Sequence, residues 1–156
     1  MKIRKAEEKD CPSLLNLLVE IGKFHYDGRP DIFRNDAGKY DGAELLKMLE
    51  NPAQPIFVSV DDEDKVLGYA MCQIRENTES AVLAPYKMLY LDDLCVAENG
   101  RQHGIGGALM EYLKDFARAE DCSRIELNVW EFPGSALEFY EHLGFCTQRR
   151  EMELWL

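Results

Sequence analysis

The densest run of chemically suggestive residues is Arg101-Gln102-His103-Gly104-Ile105-Gly106-Gly107-Ala108, where a strand pattern gives way to a helical one. Glycines at such a junction let backbone N–H groups close on an anion, and the helix start adds roughly half a unit of positive charge. The run can therefore cradle a phosphate. It lacks the Gly-Lys-Ser/Thr of a nucleotide P-loop and the full dinucleotide fingerprint. Taken alone, it leaves open which phosphate it takes, or whether it is only a tight turn. Upstream, Asp92 and Asp93 stand side by side in an apolar strand. Neighbouring strand residues point to opposite faces, so one of the two is expected to face a cleft. There a carboxylate, Asp92 or Asp93, can hold an ammonium group or take its proton, directly or through water. Cys95 has no histidine close in sequence to lower its pKa, and reads as a small buried residue rather than a nucleophile. His103, inside the glycine turn, suits contact with phosphate or solvent better than proton transfer. Phe139 and Tyr140 read by themselves as packing aromatics on an amphipathic helix.

Around these residues the pattern predicts an alternation of strands and helices. Ile3–Ala6 forms a short first strand. Asp10 is placed to cap a helix over about 11–24, carried by Leu14, Leu15, Leu17, Leu18 and Ile21. Residues 25–40 read as a loop rich in Gly, Pro and Asp that also carries His25, Tyr26, Arg29, Asp31 and Phe33. Asp41 caps a second helix running through Glu50, which Asn51-Pro52 ends. Ile56–Val60 and Val66–Ile74 make an antiparallel hairpin across the acidic turn Asp61–Asp64, and Met88–Val96 is a further strand. A helix from Ile105, a strand over Ile125–Trp130 and a helix from Pro133 through His142 follow. Gly144 suits the C-terminal cap, and Cys146–Leu156 is expected to supply one or two closing strands. The strand–glycine turn–helix–strand piece is a β-α-β unit, so its two strands should be parallel.

Composition narrows the function classes. With 18 Lys plus Arg against 29 Asp plus Glu, the net charge is −11. Such a surface repels a phosphate backbone, so no nucleic-acid partner is expected, and it attracts cationic molecules. The five cysteines form no C-x-x-C pair, and the three histidines are scattered. Neither a disulfide framework nor a metal site is expected. The N-terminus has no signal-peptide pattern, and no apolar run nears the ~20 residues of a membrane span. These features point to one domain over 1–156, cytoplasmic and without membrane contact.

Arg101-x-x-Gly104-Ile105-Gly106 matches the acyl-CoA pyrophosphate motif of the GNAT superfamily of N-acetyltransferases. Leu94-Cys95-Val96 is similar to that superfamily's central strand. Ala136-Leu137-Glu138-Phe139-Tyr140, followed by Gly144-Phe145, is similar to its second signature, in the expected order and distance. The chain thus resembles this superfamily over nearly its whole length. The resemblance implies an α/β fold with a mixed, largely antiparallel sheet, two splayed parallel central strands and flanking helices. It implies acetyl-CoA as co-substrate, with no metal, and direct acetyl transfer to a primary amine. The pantetheine arm would pair with Leu94, Cys95 and Val96 in the manner of an added strand. The pyrophosphate would lie on Arg101, Gln102, His103, Gly104, Ile105, Gly106, Gly107 and Ala108. A backbone N–H near Val96 would stabilise the oxyanion, and Tyr140 would protonate the departing thiolate. An acidic residue of polyamine acetyltransferases in the matching part of the strand favours Asp92 over Asp93 as base. Many members carry Asn where this chain has Pro133; Ser135 or Asn128 would replace its contact with the arm. The expected acceptor is a small cationic amine. The alternatives are a protein N-terminus or lysine, or a non-catalytic acyl-CoA sensor. Homodimers are frequent among such proteins, so a homodimer is a possible assembly.

Overall fold

The computed structural model of the chain describes every residue except Asp36, Ala37 and Gln102. Five strands form one sheet in the order β1-β2-β3-β4-β5: Lys2–Lys5, Ile56–Val60, Val66–Asn77, Tyr86–Val96 and Ile125–Leu127. The first four are antiparallel neighbours, while β4 and β5 are parallel, as a crossover through a helix allows. The mixed, largely antiparallel α/β architecture expected from the sequence is therefore the one observed.

Helices cover both faces. On one side α1 (Cys11–Gly28) and α2 (Gly42–Glu50) lay Leu14, Leu17, Leu18, Leu45 and Met48 onto Val58, Tyr69 and Met71. On the other, α3 (Ile105–Ala119) and α4 (Leu137–His142) lay Leu109, Met110, Leu113 and Tyr140 onto Phe57, Ala70, Leu89 and Leu91. Asp41 caps α2 as expected, in a reciprocal bond with Glu44.

Besides shifts of one to three residues at the ends of β1, β3 and β4, four boundaries differ from the sequence reading. First, α1 continues to Gly28, so His25 and Tyr26 belong to its last turns rather than to a loop. At its start, Asp10 occupies the N-cap position but makes no side-chain cap; its carboxylate is taken by Arg4 at 2.7 and 3.0 Å and by the Glu7 N–H. Second, β5 ends at Leu127 instead of Trp130. Third, α4 begins at Leu137 instead of Pro133, because Gly134 takes φ 79°, a left-handed turn that interrupts any helix there. Fourth, Cys146–Leu156 forms no strand. This segment is exposed throughout and touches the body through side chains, Gln148 on Glu126 and Glu153 on Arg29, with no backbone ladder.

The strand ends create the site. β5 pairs with β4 only from Leu89 to Leu91, and beyond that point the two strands part. The Asp92–Val96 end of β4 keeps its bonds to β3 but has no strand on its other edge among the described residues.

Candidate active site

At the parting of β4 and β5 lies a cavity of about 440 Å³, bordered by Asp92, Asp93, Leu94, Asn128, Ser135 and Tyr140. The expectation that Asp92 and Asp93 point to opposite faces fails, and the register gives the reason. Met71 opposes Asp93 while the next residue, Cys72, opposes Leu91, so β4 carries one extra residue there. A bulge of this kind breaks the period of two. Leu89 and Leu91 face α3, and after the slip Leu94 does too, whereas Cys95 faces α1. Asp92 and Asp93 consequently share the α1 face, beside the cavity.

Their environments differ. Asp92 is nearly satisfied already: the Lys39 ammonium sits 2.9 Å from one oxygen and the Tyr40 hydroxyl donates to the other at 2.6 Å. Asp93 lies deeper and accepts a 3.0 Å bond from the Tyr69 hydroxyl. Burial pushes Asp93 up to about 6, against the opposing pull of Lys39 and the Tyr69 bond. A carboxyl poised there can take a proton near neutral pH.

Tyr140 approaches the same gap from the α3 face. Its ring is buried, in edge contact with Phe139 and Phe145, and its hydroxyl has no hydrogen-bond partner among the described residues. Burial, then the nearby Asp93 charge, raises the phenol, so it stays a proton donor. Donor and acceptor of protons thus reach one opening from opposite faces of the sheet.

The glycine turn lies at the start of α3. Gly104 takes φ 75° just before Ile105, and a side chain at Gly104 or Gly107 would meet no atom within 4 Å. A Cβ at Gly106 would stand 3.1 Å from the Phe139 ring, so that glycine serves helix packing. The open first turn, with the N–H groups of Ile105, Gly106 and Gly107 ahead of the first helical bonds, fits a phosphate. Ala108 is already tied into the helix through Gly104. Arg101 turns elsewhere: its guanidinium holds the Val96 carbonyl and the Glu20 carboxylate, joining the end of β4 to α1. His103 folds back onto the Arg101 carbonyl at 2.8 Å. Gln102 lies outside the described residues. Cys95 is buried and its thiol is pushed up to about 12, which leaves it inert. Asn128 is exposed on the cavity rim, and Ser135 accepts weakly from Leu137 N–H at 3.4 Å.

Sequence reasoning missed Lys39, Tyr40 and Tyr69. A Tyr facing the core in a strand needs a partner for its hydroxyl, which was a usable signal for Tyr69; Lys39 and Tyr40 meet Asp92 across more than fifty residues of sequence, a tertiary contact with no local signal.

The sequence matches the acetyltransferase (GNAT) family over residues 20–145. The chain belongs to the GNAT family of acetyltransferases. Relatives include the thialysine N-epsilon-acetyltransferase of Bos taurus, 25% identical across 98% of this chain and 88% of that protein. Another is the glucosamine 6-phosphate N-acetyltransferase of Trypanosoma brucei brucei, 25% identical across 99% of this chain and 95% of its own length. Among solved structures, the tetramutant of BH1408 protein from Bacillus halodurans superimposes with a TM-score of 0.94 at 29% identity, covering 100% of both chains. The parallel β4–β5 pair in a largely antiparallel sheet flanked by helices is thus the GNAT fold in this chain. Among the described residues no helix is long and apolar enough to cross a membrane, and no group of three or more acidic, His or Cys side chains is placed to hold a metal.

Proposed function

We propose that this GNAT acetyltransferase moves an acetyl group from acetyl-CoA to the primary amine of a small cationic acceptor. The observation carrying this reading is the pairing of Asp93 and Tyr140 across the β4–β5 opening, one on each face of the sheet. The N–H groups of Ile105, Gly106 and Gly107 would hold the pyrophosphate, and the free edge of Leu94, Cys95 and Val96 would receive the pantetheine arm. Acetyl-CoA supplies the activated acyl group. Asp93 takes a proton from the acceptor's ammonium, freeing the nitrogen lone pair to form the N–C bond. A backbone N–H near Val96 donates to the carbonyl oxygen as charge develops on it. Tyr140 delivers its proton to the sulfur as the C–S bond breaks. Asp92, held by Lys39 and Tyr40, positions the loop over the cleft rather than serving as base. A cavity of about 440 Å³ bordered by Phe33, Arg34, Gly38 and Lys39 suits a small acceptor better than a polypeptide.

The same reading extends to assembly. Met152, Leu154, Trp155 and Leu156 are exposed, and β5 has no neighbour beyond β4 among the described residues. The exposed apolar run and the open strand edge support a homodimer in which the 146–156 segments pack against the second copy. The activity is tested by assaying CoA release with a panel of primary amines. Release that requires an amine supports acetyl transfer; CoA binding without release from any amine overturns it in favour of a sensor.

A further inference from the structure

A balance of charge in the acceptor half of the cavity leaves two groups unmatched. Lys39 and Asp92 neutralise one another at 2.9 Å. His25 contributes no charge, because burial and then Lys39 hold its imidazole below the ordinary histidine range. Asp93 faces a neutral hydroxyl, that of Tyr69. Arg34 borders the same cavity and has no carboxylate partner among the described residues, in a protein whose net charge is −11. Arg34 is exposed at the cavity, where an unpaired guanidinium can receive an incoming anion. The same cavity has an apolar wall, in which Phe33 stacks on His25 at 5.1 Å and meets Trp130 edge-on at 5.0 Å.

We infer that the acceptor is an amine carrying its own anionic group, a carboxylate or a phosphate, separated from the reacting nitrogen by an apolar spacer. Its ammonium end meets Asp93, its spacer lies along Phe33 and Trp130, and its anion pairs with Arg34. A polyamine would satisfy Asp93 but set a second cation against Arg34, which disfavours it by like-charge contact. This inference rests on the acetyl-transfer reading and refines its substrate class.

Matched pairs of acceptors test it. Lysine is compared with cadaverine, which lacks only the carboxylate, and glucosamine 6-phosphate with glucosamine; the two pairs separate carboxylate from phosphate recognition. The preferred pair should show kcat/KM at least about ten-fold higher for the anionic member, expressed mainly in KM. Arg34→Gln should bring that ratio down towards one. Calorimetry of each acceptor with the CoA-bound protein gives a readout independent of turnover, and the anionic member should bind more tightly only when Arg34 is present. Equal kcat/KM and equal affinity within both pairs, or a preference that survives Arg34→Gln, overturns the inference. If no amine releases CoA, acetyl transfer itself fails, while the calorimetric comparison still decides the role of Arg34.

Discussion

A single oxygen atom separates the two roles open to Tyr140. The ring packs on Phe139 and Phe145, and the residue borders the cavity. Tyr140→Phe should therefore lower kcat by a factor on the order of 10² to 10⁴ with little change in melting temperature or CoA affinity. Pre-steady-state kinetics would confirm that chemistry limits the rate, since slow product release can hide the loss. Asp93 makes a prediction of the opposite kind, because its burial costs stability. Its carboxyl has a pKa of about 6 in the folded chain against 3.8 as the ordinary value. Between those two values the unfolded chain has released the proton and the folded one has not. Stability therefore falls as pH rises through that window, by on the order of 3 kcal/mol, and the loss is complete above it. Asp93→Asn should flatten this slope in denaturant melts recorded across the window. The same variant should slow turnover and erase the acidic limb of kcat/KM, which in the wild type should fall below a pH of about 6.

At the scale of elements, the helix start and the strand bulge do the positioning. Gly107 has open space above it and sits in the first turn of α3, so an acidic side chain there would favour the helix and oppose a bound phosphate. Gly107→Asp should hold or raise the melting temperature, through a dipole contribution of roughly 0.3–1 kcal/mol and better helix propensity. CoA affinity measured by calorimetry should fall at least about ten-fold. Unchanged affinity would move the pyrophosphate away from this turn. Such elements were readable in the sequence to different degrees. The helices and strands follow from Leu14, Leu17 and Leu18, from Ile56–Val60 and from the Gly104–Ile105 junction, because local periodicity and caps specify them. The placement of Asp92 and Asp93 was not readable, since a one-residue slip against β3 leaves no trace in the periodicity of β4 alone. Nor was the start of α4, because Pro133 suits a first helical position and the left-handed turn at Gly134 leaves no mark in the sequence. Lys39 and Tyr40 reach Asp92 only through tertiary folding of the segment before α2.

For the whole molecule, the open β5 edge and the exposed 146–156 segment carry the expectation of self-association. Trp155→Asp combined with Leu154→Asp should shift a dimer to monomer in sedimentation equilibrium, without changing the secondary structure seen by circular dichroism. A wild type that already sediments as a monomer would dismiss the dimer. The bulge in β4 has a wider reach than its size suggests. On one side of it the chain presents Leu89 and Leu91 to α3; on the other it presents Leu94 to the same helix, three positions later. Replacing Asp92 by another residue changes one side chain. Removing it would leave Asp93 directly after Leu91 and opposite Met71, so that the strand alternates strictly while Leu94 still faces α3 and Cys95 still faces α1. The extra residue lets the strand show two consecutive acids to the acceptor cavity while its apolar neighbours keep their own sides.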